Sequence, residues 1–366
     1  VATLTLAGVF AQFKAAYQQT HRLSDDQHRA VHDILACRTD ALGIQSRAHC
    51  GQCGFEAIRY CSCRNRHCPQ CQGHAAQQWV ERRCGDVLDV PYYHLVFTLP
   101  HELNSLARRH ARLIHGRLFD AVWHTLGKLG EQRLGGQLGM TAVLHTWGQT
   151  LSHHVHLHCL VPAGAFAAQD GRWRRARSRY LFPVKVMQQM FRGRYVAELR
   201  RQRERTCLSS AQMTTLLEVL MAKPWNIHAR PVLGHAHQVL DYLGRYTHRI
   251  ALAESRLVGI RHDQVLFRYR DYRQNSQDRV MTLAGTEFMR RYLTHVLPRG
   301  FQRVRHYGFL ANRLREDRIR RIQALLPVRH LQKKPVVVYA PCWTCPYCGA
   351  PITGASVMIR EVPDTS

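Results

Sequence analysis

The stretch "LSHHVHLHCLVPAG" (Leu151–Gly164) restricts the fold of this chain more than any other. His154, His156 and His158 occupy alternate positions, and Val155, Leu157 and Cys159 fill the positions between and after them. A helical period of 3.6 would scatter both sets around its circumference. A strand, with period two, sorts them onto opposite faces. The segment is therefore expected to be a strand whose apolar face buries into a core and whose other face carries imidazoles. The preceding "MTAVLHTWGQT" (140–150) also reads as a strand, and the pair is expected to form a hairpin about Gly148–Ser152. Two neutral imidazoles side by side are what a metal site requires. His156 and His158 are the expected ligand pair, with His154 as a third ligand or a group behind them, and Gln149 as a further candidate. The structural alternative is an exposed histidine-rich edge strand. Two imidazoles leave coordination positions open, which is the catalytic rather than the structural pattern.

Charge narrows the choice of partner. Lys and Arg number 52 against 25 Asp and Glu, a formal charge of +27 with a pI near 10.3. Such an excess points to a polyanion, and nucleic acid is the commonest one. A divalent ion beside a nucleic-acid groove would bind a phosphate oxygen and withdraw charge from phosphorus. The 366 residues suggest about two domains, and the 45% apolar share argues against gross disorder. No stretch reaches the ~18 apolar residues of a membrane helix, and no secretory signal is evident, so no membrane partner is expected. The 13 cysteines are clustered, which argues for metal rather than disulfides and for the reducing cytoplasm.

Cys50-x2-Cys53 is followed after 14 residues by Cys68-x2-Cys71. Two such knuckles are expected to close a four-thiolate tetrahedron around a structural Zn2+. Cys61, Cys63 and His67 lie between them and read as spectators. Arg59, Arg64 and Arg66 share that loop, where a zinc-stiffened backbone suits phosphate contact. Near the carboxyl end, Cys342, Cys345 and Cys348 form a weaker pattern with "CPYCG" as its best knuckle. One knuckle cannot close a tetrahedron, and whether this is a second zinc site or a remnant is open from sequence.

The helix "VLDYLGRYTHRIAL" supplies a possible nucleophile. Tyr242 and Tyr246 are four residues apart and share a face on the flank of its apolar stripe. By spacing alone, both rings simply pack at the core edge. Gly244 between them costs about 1 kcal/mol relative to Ala and leaves room for a close neighbour. A phenol has a free pKa of about 10, but beside a metal-bound phosphate it need not be ionised in advance. Basic stretches with interleaved aromatics suit single-stranded nucleic acid. These stretches contain Arg174 and Arg175 ("RWRRARSRY"), Arg245 and Arg249 of the tyrosine helix, Arg268 and Arg270 ("FRYRDYR"), and Arg305 in the basic region 286–324, which reads as helical.

Taken together, "HHVHLHCLVPAG", "YLGRYTHRIAL", "CRNRHCPQCQ" and "HVLPRGFQRVRHYGFLANR" resemble the insertion-sequence 91 family of rolling-circle transposases. The resemblance runs from about residue 20 to about residue 350. It implies an α+β fold: an HUH-endonuclease-like antiparallel sheet with packed helices, an amino-terminal zinc-binding domain and a basic helical carboxyl-terminal region. The implied divisions are 1–85, 86–280, 281–340 and 341–366. It also implies nicking and joining of single-stranded DNA at transposon ends and target. The metal ligands would be His156 and His158, with Mg2+ or Mn2+ as catalytic ion and Tyr242 and Tyr246 as nucleophiles. If one tyrosine works alone, Tyr246 is the choice. The matching zinc ligands are Cys50, Cys53, Cys68 and Cys71. The implied setting is the bacterial cytoplasm, at the nucleoid. The alternatives are a rolling-circle replication initiator with the same chemistry and a zinc-dependent DNA-binding protein without catalysis.

Overall fold

The computed structural model describes residues 4–176, 181–232, 239, 244, 247, 249–272, 274, 276–326, 343–352 and 355–357. Helix α1 (Leu6–Thr20) starts where the Thr5 hydroxyl accepts from the Gly8 amide. Helix α2 (Asp25–Ala36) starts at a capping box in which Ser24 and Gln27 satisfy each other's backbone amides. A two-stranded turn follows, β1 (Ile44–His49) and β2 (Glu56–Tyr60), and then α3 (Pro69–Arg83), which has Pro at its first position.

The next elements combine strands and helices. They are β3 (Tyr92–Thr98), α4 (Asn104–Arg109), α5 (Ala111–Leu134), β4 (Gly139–Trp147), β5 (His153–Pro162), β6 (Gly164–Ala167) and β7 (Arg172–Arg175). Helices α6 (Val184–Arg201) and α7 (Ser210–Ala222) lead to β8 (Ile227–Val232). After the tyrosine segment comes an antiparallel meander of β9 (Leu257–Arg261), β10 (Gln264–Asp271) and β11 (Gln277–Ala284). Helix α8 (Gly285–Leu293), β12 (Val304–Gly308) and α9 (Arg315–Leu325) follow. The described tail contributes β13 (Trp343–Thr344), β14 (Pro351–Ile352) and β15 (Ala355–Val357).

The central sheet has the order β12–β4–β5–β3–β8, antiparallel throughout. The expected alternation along β5 is observed. Val155, Leu157, Cys159 and Val161 are buried in the main core with Leu95, Phe97 and Leu144 from the neighbouring strands. Ile114 and Leu118 of α5 and Phe191 and Tyr195 of α6 close this core. Each fully buried aliphatic or Phe side chain contributes about 1.5–3 kcal/mol, so the apolar face fixes the strand and, with it, the opposite face. The architecture is α+β, with an antiparallel sheet, packed helices and a cysteine-rich amino-terminal region.

One expectation gives way. The basic region 286–324 is not one helical stretch, because β12 interrupts it and joins the edge of the central sheet beside β4. Its Pro298-Arg299-Gly300 turn, with Gly300 at φ +74°, ends helical structure, and the strand behind it pairs Val304 with Val143. Phe10 and Phe13 of α1 share a core with Phe267 of β10, Phe288 of α8 and Trp147 at the end of β4. No helix among the described residues is long and apolar enough to cross a membrane.

Candidate metal centre

The hairpin joining β4 to β5 builds the site. Its turn is closed by Gly148 N–H donating to the Ser152 carbonyl (2.9 Å), with Leu151 in the left-handed region at φ +58°. That register sets His145 directly opposite His156, and Val143 opposite His158. Directly opposed residues bring their Cβ atoms within about 4.5–5.5 Å, so facing imidazoles can meet. His145, His156 and His158 each offer a ring nitrogen, and these nitrogens lie within 4.8 Å of one another.

Hydrogen bonds on the far side of two rings fix which nitrogen is offered. His156 Nδ1 donates to the His154 carbonyl at 2.9 Å, and His158 Nδ1 lies 2.8 Å from Nε2 of the buried His94 on β3. With Nδ1 of both rings engaged elsewhere, Nε2 is the nitrogen left for the group, an arrangement that suits metal-binding histidine. Burial pushes the pKa of His156 down to about 3, helped by the neighbouring His154. Burial also holds His158 well below its ordinary value, reinforced by His145, His156, His94 and Arg249. His94 is lowered to about 3 by burial, then by Arg230. Neutral, unprotonated imidazole is the state that binds a metal. The donor set, three converging imidazole nitrogens, fits a divalent first-row ion.

The sequence signal for His145 lay in the β4 half of the predicted hairpin, where one residue of register decides which side chain faces His156. His94 carried no such signal. His154 is exposed and contributes its carbonyl rather than its ring to this group. The Gln149 amide donates to the Tyr272 hydroxyl at 3.3 Å. Tyr242, Tyr246 and Arg245 lie outside the described residues, as does Cys342.

The described neighbours of the tyrosines are informative. Val239 is buried in one apolar cluster with Tyr92, Val87 and Leu160, which lies on the same strand face as His156 and His158. A Cβ on Gly244 would meet Val80 of α3 at 2.7 Å, so the room expected beside Gly244 is used by α3. The buried Arg303 guanidinium donates to the Thr247 carbonyl at 2.6 Å and to the Arg249 carbonyl at 3.2 Å.

The expected basic residues divide into two kinds. Arg64, Arg175, Arg249 and Arg268 are exposed. Arg174 is exposed and pairs with Asp170 at 2.7 Å, and exposed Arg270 donates to the Ser276 carbonyl. Arg66 is committed to structure instead: it donates to the Phe301 and Pro298 carbonyls across the turn before β12. Arg305 lies 4.1 Å above the Phe119 ring.

The cysteines do not form the single tetrad expected from the two knuckles. Cys68 and Cys71 group with Cys37 and Cys63, and Cys50 and Cys53 group with Cys345 and Cys348. Strand β2 separates the two knuckles: Cys50 and Cys53 sit in the β1–β2 turn, whereas Cys68 and Cys71 sit at the start of α3. Cys37 follows α2 and reaches Cys71 at 3.6 Å, and Cys63 reaches the same sulfur at 3.6 Å. Cys63 is thus a group member rather than a spectator, while Cys61 joins neither group. A tetrahedral zinc with Zn–S of about 2.3 Å sets its sulfurs about 3.8 Å apart, so Cys37, Cys63, Cys68 and Cys71 fit a structural zinc. The start of α3 adds a positive dipole end that favours thiolate.

Residues 139–318 match a family described as a putative transposase, and residues 9–99 match a transposase zinc-binding domain. The chain is 40% identical over 334 residues to a putative transposase, y4qJ, of Sinorhizobium fredii, covering 88% of this chain and 84% of that relative. It is 27% identical over 352 residues to the transposase for insertion sequence element IS801 of Pseudomonas savastanoi pv. phaseolicola, covering 90% and 83%. No solved structure matches the chain.

Proposed function

The chain belongs to the insertion-sequence 91 family of transposases, DNA-processing enzymes, and from that premise we propose that it nicks and rejoins single-stranded DNA through a phosphotyrosine. Tyr242 or Tyr246 attacks the scissile phosphorus through its phenolic oxygen. The bond from phosphorus to the 3′ oxygen breaks, the 3′ oxygen leaves as a hydroxyl carrying a proton, and a 5′-phosphotyrosine remains. A 3′-OH attacking that phosphotyrosine restores a phosphodiester and frees the phenol, so rejoining needs no nucleotide hydrolysis.

The observation that carries this reading is the convergence of His145, His156 and His158 on the sheet face against which Val239 packs. A Mg2+ or Mn2+ ion held by these three side chains would withdraw charge from a non-bridging phosphate oxygen. Three nitrogen donors favour Mn2+ over Mg2+, which prefers oxygen. Arg249 is three positions beyond Tyr246, contributes electrostatically to both His156 and His158, and is exposed, so it suits a phosphate near the histidines. The exposed Arg64, together with Arg38 and Arg59, lines a groove of about 900 Å3 that suits a DNA backbone.

The test is to incubate the protein with single-stranded DNA and Mn2+, denature it, and look for a covalent adduct. Tyr242→Phe and Tyr246→Phe, alone and combined, assign the nucleophile. The double variant is expected to form no adduct, and an adduct that persists in it refutes the tyrosine assignment.

A further inference from the structure

We propose that Cys50, Cys53, Cys345 and Cys348 hold a second structural zinc ion, in a site assembled from two matched knuckles at opposite ends of the chain. The inference is independent of the strand-transfer chemistry. It begins with the sequences "CGQCGF" and "CPYCGA", which the structure folds alike. Cys50 N–H donates to the Phe55 carbonyl at 2.9 Å, and Cys345 N–H donates to the Ala350 carbonyl at 2.8 Å, each across five residues. Gly54 and Gly349 each donate to the carbonyl of the first cysteine of their knuckle at 2.9 Å. Both glycines sit in the left-handed region, at φ +74° and +72°, where a side chain would be strained. In each knuckle the first cysteine is buried and the second exposed.

The two knuckles face each other sulfur to sulfur. Cys50 Sγ lies 3.6 Å from Cys348 Sγ, and Cys53 Sγ lies 3.5 Å from Cys345 Sγ. All four sulfurs fall within 4.8 Å of one another. A disulfide needs about 2.05 Å, so neither pair is one. The spacing is instead close to the ~3.8 Å between sulfurs of a zinc tetrathiolate.

The tail also needs such a fastening. Its described strands β13, β14 and β15 have two, two and three residues, and no apolar cluster among the described residues includes any residue beyond Leu326. Among the described residues, little else ties it down. Strand β15 adds to the edge of β1 over three residue pairs, Ser46–Val357 to Ala48–Ala355, and the Tyr347 ring lies 5.0 Å from Phe55. Pieces this short do not hold by pairing alone. A tetrathiolate metal would supply the missing free energy and make the two ends of the chain one module.

The test uses the zinc-loaded 366-residue chain. Metal analysis is expected to find two zinc ions per chain, one for each sulfur group. Native alkylation with iodoacetamide, read by peptide mass spectrometry, gives the ligands directly. Exposed Cys207 belongs to neither group and serves as the internal standard. Cys53 and Cys348 are exposed too, yet they are expected to react at least about tenfold more slowly than Cys207, and to lose that protection together with Cys50 and Cys345 on chelation. The Cys345→Ser/Cys348→Ser double variant should keep one zinc and leave Cys68 and Cys71 protected, which shows that the rest of the chain is folded. Alkylation of Cys348 at the rate of Cys207 in zinc-loaded protein, iron in place of the second zinc, or two zinc ions retained by the double variant would each overturn the proposal.

Discussion

Replacing His94 tests the metal centre without touching a metal ligand. His94 Nε2 lies 2.8 Å from His158 Nδ1, the two rings stack at 5.0 Å with 7° between their planes, and His94 is 4% exposed. With an ion bound, His158 would donate its Nδ1 proton to His94 and leave Nε2 for the ion. His94→Phe keeps the flat ring and the packing but removes the acceptor. A buried N–H that loses its partner costs about 1–3 kcal/mol. At 1.4 kcal/mol per factor of ten, that corresponds to roughly 5–150-fold, in line with the 10–100-fold loss of metal affinity usual when such outer partners are removed. The assay is Mn2+ binding by calorimetry on wild type and variant, together with the Mn2+ dependence of covalent adduct formation. The half-saturating Mn2+ concentration should rise by about 10–100-fold, while the adduct yield at saturating Mn2+ stays near wild type. His94→Gln, which can still accept through its carbonyl oxygen, should recover part of the affinity. A His94→Phe protein that unfolds like wild type and binds Mn2+ within twofold of it would refute the assignment of His94 as the group that orients His158.

Two further outcomes follow from buried groups away from the ion. Burial lowers His115 to about 3, and among the described residues neither of its ring nitrogens has a hydrogen-bond partner. Below pH 6.5 the unfolded chain therefore binds a proton at this residue that the folded chain does not, and stability falls with pH by up to about 1.4 kcal/mol per unit until pH approaches 3. His115→Phe removes that loss. Urea unfolding at pH 7.5, 6 and 5 should show the variant gaining on wild type as pH falls, and a constant difference would contradict the mechanism. Arg303→Met removes the two hydrogen bonds that hold the Thr247 and Arg249 carbonyls just beyond Tyr246. Adduct formation is expected to drop about tenfold or more with Mn2+ affinity unchanged, since hydrogen bonds from a charged donor contribute about 1.5–3 kcal/mol each; equal loss of both would point to general unfolding instead.

What was legible in the sequence is what depends on neighbours along the chain. The period-two pattern of β5 announces both of its faces, so His156 and His158 could be read directly, as could the Ser24 capping box and each Cys-x2-Cys knuckle. What was not legible is what a local half-site meets. His145 joins the centre only because the β4–β5 register puts it, rather than Thr146, opposite His156, and a slip of one residue would exchange them. His94 arrives from β3, across a connection that includes α4 and α5. The cysteines show the same division more sharply. Spacing shows each knuckle but not its partner, because nearness in sequence is not nearness in space. Strand β2 carries the chain away between Cys53 and Cys68, and the partners of Cys50 and Cys53 are 292–298 residues distant. A lone knuckle in such a chain is therefore better read as half of a site whose other half the sheet topology supplies. By that reasoning "CPYCG" reads as the other half of the proposed zinc site: its glycine in the left-handed region and its one buried, one exposed sulfur match the Cys50–Cys53 knuckle, and strand β15 brings it to the edge of β1, where that knuckle begins.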